Sequence, residues 1–325
     1  MLCFGWSFFL NGCGGTLPKT DDRLQVVCTI FPEYDWARQL TQGVDNVDLT
    51  LLVKNGTDLH SYQPSVRDIA MIARADVFCY VGGVSDTWVN DVLDTTENRT
   101  AQLVSMAEAA DADEEVLAEG MQAEHEHEHE HEHDHHDDES DSHEEPPELD
   151  EHVWLSLRRA ALACTAMKEA LCKADPAHED IYNQNCTDYL QKLQDMDSDF
   201  TKMTSQAARD TIVVADRFPF RYLAEDYGLT YYAAFPGCSA ETEASFETIV
   251  FLSEKVESLH LPCVLVTEGS NSSLAKTILE NASSDGKILT LQSLQAVSQK
   301  EIDTGVTYLS KMQENYDVLK QALNS

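Results

Sequence analysis

The segment Val47–Gly83, VDLTLLVKNGTDLHSYQPSVRDIAMIARADVFCYVGG, decides the fold. It begins with an apolar run of β-forming residues, Val47–Val53, and closes with a second one, Val77–Val81. Between them a helix is predicted to start at Ser65, because the apolar residues that follow recur at helical spacing. A strand, a helix and a second strand in this order predict a βα unit of a parallel sheet.

The same alternation continues along the chain in both directions. Leu24–Phe31 and Gln102–Ser105 add strands to the N-terminal half, and Pro32 is predicted to end the first of them before a helix over Glu33–Thr41. A second series of strands and helices runs over residues 211–291 and begins with a strand at Thr211–Ala215. We therefore predict an α/β fold with two lobes, each a parallel sheet flanked by helices. The lobes are predicted over residues 24–174 and 207–325.

One long helix is predicted to join the lobes, over residues 175–206. It starts at Asp175-Pro176, a pair typical of a helix N-terminus. Apolar residues then recur at alternating spacings of four and three over about 28 residues, which is roughly 42 Å at 1.5 Å per residue. A helix of this length can contact both lobes, and we expect a ligand site in the cleft between them. The apolar stripe consists of Tyr182, Cys186, Tyr189, Leu193, Met196, Phe200 and Met203.

A tract rich in histidine interrupts the first lobe. Residues Glu124–His143 comprise eight histidines, ten acidic residues and two serines, within a loop over residues 124–147. With no apolar residue to bury, the tract cannot offset the entropy of ordering and is predicted to be a solvated loop. Imidazole and carboxylate bind zinc and related ions, so we predict an accessory metal-binding loop; the alternative is an acidic loop that only improves solubility. Its histidines are His125, His127, His129, His131, His133, His135, His136 and His143.

The charge of the chain favours a cationic ligand. Its 325 residues carry a formal net charge of −36 at pH 7. Such a charge disfavours nucleic acid and anionic membrane surfaces as partners. No segment approaches the roughly 20 consecutive apolar residues of a membrane-spanning helix.

Residues 1–23 have the pattern of a bacterial lipoprotein signal and tether. A short apolar run, Cys3–Leu10, precedes Cys13 and a polar segment. We expect Cys13 to be lipidated and to anchor the protein to a membrane; the alternative is an apolar terminus without a role. The seven cysteines from Cys28 to Cys263 form no Cys-x-x-Cys pair, so a thiolate zinc knuckle is not predicted.

Four potential metal donors lie at the ends of predicted strands or at a helix start. His60 follows the second strand, His152 begins a helix, and Asp216 and Glu268 directly follow strands of the second lobe. Because ligands bind at the carboxyl ends of parallel strands, these donors are candidates for a tetrahedral site with two nitrogen and two oxygen ligands. The alternatives are surface histidines and carboxylates that cap helices.

Three segments resemble the metal substrate-binding proteins of bacterial ABC importers for zinc and manganese, a family that includes zinc-uptake lipoproteins. Residues 55–83 are similar to the family's first-ligand segment, and DEHVWLSL (residues 150–157) is similar to its second-ligand segment. Residues 221–249 are similar to the stretch after its third ligand. The resemblance covers residues 24–325 and implies the two-lobed fold with a connecting helix that is rigid.

The resemblance implies that His60 and His152 are the first and second metal ligands. It leaves the third open, because counting back from the family's helix start reaches Arg217, whose guanidinium cannot bind a cation. A shift of one residue gives Asp216, which we take as the candidate. Glu268 lies in the family's fourth-ligand region.

The resemblance also implies a function: extracytoplasmic capture of a divalent metal, zinc above all, and its delivery to an ABC permease by a monomeric, lipid-anchored protein. The His-rich loop favours zinc, whereas carboxylate ligands would also suit manganese or iron. No enzyme activity is expected. The alternative of a zinc hydrolase requires an open coordination position and a nearby base, and no HExxH motif is present. A further alternative is an adhesin or metal-storage protein that works through the loop alone.

Overall fold

The computed structural model describes residues 23–54, 56–96, 100–121, 149–239 and 243–325. Cys13, the predicted lipidation site, lies outside these ranges. The eight histidines of the accessory loop also lie outside them, namely His125, His127, His129, His131, His133, His135, His136 and His143.

The N-terminal lobe contains a four-stranded, fully parallel sheet in the order β2-β1-β3-β4. Its strands are short apolar runs, as expected for strands that are covered by helices on both faces. They are β1 (Leu24–Cys28), β2 (Val47–Leu51), β3 (Val77–Tyr80) and β4 (Gln102–Ser105). The helices of this lobe are α1 (Phe31–Leu40), α2 (Val66–Ile72), α3 (Trp88–Thr95), α4 (Met106–Ala109) and α5 (Leu157–Ala174).

The predicted connector is present as α6 (Glu179–Ser205), a helix of 27 residues. Near its start, the Asn185 side chain donates to the backbone carbonyls of Leu40 and Gln42, at the end of α1. Near its end, the Phe200 ring stacks on Tyr227 with ring centroids 4.9 Å apart. The helix therefore contacts both lobes.

The C-terminal lobe repeats the architecture with a parallel sheet in the order β6-β5-β7-β8. This confirms the predicted fold class of two α/β lobes joined by a long helix. The strands are β5 (Thr211–Phe218), β6 (Thr230–Pro236), β7 (Cys263–Thr267) and β8 (Lys287–Leu291). The helices are α7 (Arg221–Asp226), α8 (Phe246–Ser258), α9 (Ser273–Asn281), α10 (Gln299–Asp303) and α11 (Tyr308–Asn324).

Several predicted element boundaries are wrong. The helix predicted to begin at His152 starts at Leu157, after a 3₁₀ turn over Val153–Leu155. Two further differences have a clear physical reason. Helix α1 starts at Phe31, two residues before the predicted Glu33. Pro32 lies in its first turn, where proline is tolerated because the backbone N–H that it lacks has no partner within the helix. Strand β5 continues to Phe218 beyond its predicted end at Ala215, past an irregular register between Val214 and Arg217.

The hydrophobic core is shared between the lobes. A single cluster of buried side chains includes Val26 and Cys79 of the first sheet, Leu193 of α6, Val214 of the second sheet and Leu319 of α11. A shared core of this kind resists large changes in the angle between the lobes. Within the described ranges, no helix combines the length and apolarity that crossing a bilayer requires. The seven cysteines there are all free thiols.

Candidate metal centre

Four potential metal donors converge in the cleft. The donor atoms of His60, Glu151, His152 and Cys238 lie within 4.8 Å of one another. His60 follows β2 and Cys238 follows β6, so the group forms at the carboxyl ends of both sheets. Three of the donors come from the N-terminal lobe and one comes from the C-terminal lobe.

His152 is fixed by the carboxylate of Asp150. Its Nδ1 lies 2.9 Å from Asp150 Oδ1, which also accepts the His152 backbone N–H at 3.1 Å. The His152 side chain is 0% exposed. Burial alone would lower the pKa of His152, but the hydrogen bond and charge of Asp150 raise it above its usual value. With Nδ1–H donated to the carboxylate, the lone pair of Nε2 is available to a cation.

His60 lies in a single 3₁₀ turn, Leu59–Ser61, that Asp58 caps by accepting the His60 backbone N–H at 3.1 Å. Its Nδ1 lies 2.9 Å from Ser85 Oγ, and the ring is 5.7 Å from that of His152. Burial, together with the neighbouring His152, lowers the pKa of His60 to about 4. Both effects favour the neutral imidazole, the form that binds metals.

Glu151 is completely buried beside the two imidazoles. Its Oε2 accepts the backbone N–H of Ser85 at 3.0 Å, and its Oε1 lies 3.5 Å from His60 Nδ1. The carboxylate fits because residue 83 is glycine: a Cβ on Gly83 would lie 2.1 Å from Glu151 Oε2. Burial raises the pKa of Glu151 to about 7. A bound cation would favour its ionised form.

Three buried donor atoms in this group have no hydrogen-bond partner among the described residues: His60 Nε2, His152 Nε2 and Glu151 Oε1. A buried polar atom without a partner costs about 1–3 kcal/mol. Three such atoms at one point make a candidate cation site, since a single metal ion would serve as the missing partner of all of them.

Cys238 is placed by a close approach of the two lobes. A Cβ on its neighbour Gly237 would lie 2.8 Å from His152 Cε1, so only glycine allows the turn after β6 to pack on the imidazole. The backbone N–H of Cys238 donates to Glu115 Oε1 at 3.3 Å. Burial, followed by the charge of Glu151, raises the pKa of the Cys238 thiol well above its usual range.

The structure places the predicted donors Asp216 and Glu268 outside this group of four. Asp216 Oδ2 accepts the hydroxyl of Thr267 at 2.8 Å, within the second sheet. The Glu268 carboxylate accepts both the backbone N–H and the hydroxyl of Ser293, each at 2.6 Å. The Ser293 carbonyl in turn accepts the Trp154 indole N–H at 2.8 Å, so Glu268 supports the segment that carries His152. Whether the two carboxylates also bind metal stays a prediction.

Beside the donor group lies a polar cavity of about 380 Å³ that Asp216 and Glu268 line. Asp58 and Gly237 belong to its wall, so it adjoins the donor group. Arg217 also lines it and binds Asp58 with an N–O distance of 2.8 Å, which forms an ion pair between the lobes. Arg217 aligns with the third ligand of the family that the sequence resembles, and in this structure its guanidinium connects the two lobes instead.

Sequence reasoning missed Glu151 and Cys238. Glu151 adjoins His152, and side chains of adjacent residues usually point in different directions, so the pattern gave no reason to pair them. For Cys238 a signal existed, because it follows a strand of the second lobe as Asp216 and Glu268 were expected to do. Cys-x-x-Cys spacing does not reveal such a donor, because Cys238 stands alone in its segment.

Residues 26–322 match the family model of ZnuA, the periplasmic component A of the zinc-uptake complex. The chain belongs to the ZnuA family. The match covers both lobes and the connecting helix of the ZnuA fold.

Two curated relatives and one solved structure illustrate the relationship to ZnuA. The zinc-binding lipoprotein AdcA of Streptococcus pneumoniae is 30% identical over 315 residues, which are 97% of this chain but 58% of AdcA. The high-affinity zinc uptake system protein ZnuA of Bacillus subtilis is 30% identical over 309 residues, 95% of this chain and 90% of that protein. The crystal structure of the Zn(II)-bound ZnuA-like domain of S. pneumoniae AdcA superposes with a TM-score of 0.70 at 27% identity, covering 93% of this chain and 100% of the domain.

Proposed function

We propose that this protein captures Zn²⁺ in the cleft between its lobes and delivers it to an ABC permease. The observation that carries the proposal is the convergence of three buried, unpartnered donor atoms on His60, Glu151 and His152. Membership of the ZnuA family and the Zn(II)-bound structure of the AdcA domain support zinc as the cargo.

In this proposal, His60 and His152 are the principal ligands and their neighbours set their orientation. Asp150 holds His152 with Nε2 facing the cleft, and Asp58 and Ser85 do the same for His60. Outer partners of this kind fix the tautomer and raise the basicity of the ligand. Asp216 and Glu268 support the surrounding strand ends through their hydrogen bonds.

We further propose that the protein works outside the cytoplasm as a monomer, anchored through lipid on Cys13. The lipoprotein name of the AdcA relative supports the anchor. We expect a receptor and not an enzyme, because catalytic zinc sites keep an open coordination position for water. Here a group of four protein donors would fill a tetrahedral shell. The His-rich loop would collect metal at low affinity beside the cleft site.

The proposal is tested by the stoichiometry and affinity of zinc binding to three proteins: the intact chain, a deletion of residues 124–143, and the double variant His60→Ala with His152→Ala. Tight one-to-one binding should persist in the deletion and disappear in the double variant. Because sites in the loop bind in addition, the tight site is read from a competition titration against a chelator.

The matched control replaces two histidines outside the donor group, His178→Ala with His260→Asn. Asparagine is chosen because His260 has a positive φ of 49°, which asparagine tolerates. The control should bind zinc like the intact chain. Loss of all tight binding on deletion of the loop alone would refute the proposal. A tight site with a preference for Mn²⁺ would support the manganese alternative.

A further inference from the structure

Cys238 is the one sulfur donor in the group of four converging side chains, and it is the one donor from the C-terminal lobe. It lies in the turn that follows β6, at the same sheet edge as the other strand ends of its lobe. A thiol alone would not indicate a site. Its companions here include two buried nitrogens and a buried carboxylate oxygen without partners, which themselves point to a cation.

The turn that carries Cys238 is held against the N-terminal lobe at two points. Gly237 contacts the His152 ring so closely that a Cβ would lie within 2.9 Å of Nδ1. Glu115 accepts the backbone N–H of Cys238 at 3.3 Å. The sulfur is thus directed at the donor group by contacts from the opposite lobe.

The spacing suits a tetrahedral ion. Zinc bonds of about 2.0–2.3 Å to nitrogen, oxygen and sulfur give ligand–ligand edges of roughly 3.4–3.7 Å. The four donor atoms already lie within 4.8 Å of one another, so shifts of about 1 Å would close the shell.

We propose that Cys238 Sγ is the fourth ligand, forming a closed site of two imidazoles, one carboxylate and one thiolate that favours thiophilic ions such as Zn²⁺ and Cd²⁺ over Mn²⁺. As the sulfur–metal bond forms, the thiol proton passes to solvent; no oxidation occurs. The proposal rests on the proposed function, since it assumes that His60 and His152 bind the cargo. Thiolate ligands select zinc-like ions, whereas oxygen ligands and water suit manganese.

The test uses Co²⁺ as a spectroscopic probe on the full chain under reducing conditions, at less than one equivalent of metal. A thiolate on Co²⁺ produces an intense charge-transfer band in the near ultraviolet, and tetrahedral Co²⁺ produces visible d–d bands. The His-rich loop contains no cysteine, so it cannot contribute the charge-transfer band. The variant is Cys238→Ser, and the matched control is Cys172→Ser, a partly exposed free thiol on α5.

We expect the charge-transfer band in the intact chain and in Cys172→Ser, and its loss in Cys238→Ser with retention of visible bands. The preference for Zn²⁺ over Mn²⁺ should fall about tenfold or more in Cys238→Ser, because an oxygen donor replaces the thiolate. Thermal unfolding of the metal-free variants shows whether each one folds. Cys238→Ala is a second variant and should lose the same band.

The outcomes separate this proposal from the proposed function. Tight Co²⁺ and Zn²⁺ binding that requires the two histidines but shows no charge-transfer band overturns the role of Cys238 alone. Persistence of the band in Cys238→Ser overturns it too, since another thiol would then be the ligand. Absence of tight binding in the intact chain overturns the proposed function itself.

Discussion

The carboxylate of Asp150 should control zinc affinity although it is not among the converging donors. Asp150 Oδ1 accepts the His152 ring N–H at 2.9 Å and the backbone N–H at 3.1 Å. The two side chains are 3% and 0% exposed, so water does not compete for these bonds. Asp150→Asn keeps an acceptor oxygen and the side-chain shape but removes the negative charge.

Loss of a partner that orients a metal-bound histidine typically lowers metal affinity about 10–100-fold. That range corresponds to about 1.4–2.8 kcal/mol of binding free energy. We expect the effect of Asp150→Asn to lie near the lower end, because the asparagine oxygen can still hold the ring in place. Asp150→Ala, which removes the oxygen as well, should approach the upper end.

The assay is a competition titration of zinc against a chromophoric chelator at pH 8, combined with thermal unfolding of the metal-free proteins. The control is Asp188→Asn, which makes the same chemical change at an exposed position of α6. Zinc affinity of Asp150→Asn within threefold of the intact chain would refute the reasoning. So would an equal loss in Asp188→Asn, since the effect would then come from the overall charge of the chain.

Three further predictions concern the packing, the titration and the ligand. In Gly237→Ala, the added Cβ would lie 2.8 Å from His152 Cε1. Calorimetry should therefore show that the fold is destabilised by about 1–3 kcal/mol, and titration should show weaker zinc binding. Burial raises the pKa of Glu33, which faces Asp86, from 4.5 to about 8. Protonated Glu33 therefore stabilises the fold fully below about pH 4.5, and this contribution is lost as the pH rises through about 8. Chemical denaturation from pH 5 to 8.5 should show a smaller fall in the free energy of unfolding for Glu33→Gln than for the intact chain. Zinc at 100 times its Kd should raise the free energy of unfolding by about 2.7 kcal/mol, and a chelator should remove this stabilisation. The double variant His60→Ala with His152→Ala should show no such change.

The fold could be predicted because parallel strands covered on both faces are short apolar runs, and amphipathic helices alternate with them. Boundaries were predicted less well where local backbone geometry decides them. The irregular register between Val214 and Arg217 carries β5 past its predicted end, and no hydrophobic pattern encodes it. Pro32 was expected to delay α1, but proline is compatible with the first turn of a helix.

The site was predictable only where a donor is anchored by its own element. His60 and His152 lie on short turns at the carboxyl edge of the first sheet, and the structure brings them together. The Asp216 carboxylate accepts a hydrogen bond from Thr267 and the Glu268 carboxylate accepts one from Ser293, and no local sequence pattern indicates either of these long-range pairs. Cys238 depends on the close contact between the lobes, which the sequence of either lobe alone does not reveal.

Three of the four converging donors belong to the N-terminal lobe, and this distribution affects how a bound ion would be released. In the proposed four-ligand site, a simple separation of the lobes would remove only Cys238 from the metal, and the ion would remain on three donors of the N-terminal lobe. The hydrophobic core shared by both lobes also opposes a wide opening. Release should therefore require a change within the N-terminal lobe itself. The 3₁₀ turn that carries His60 is the candidate, because the His60 side chain is 15% exposed whereas Glu151 is fully buried. We expect a permease that binds at the cleft to reach this turn first, and displacement of His60 would leave Glu151 and His152 as the two buried donors.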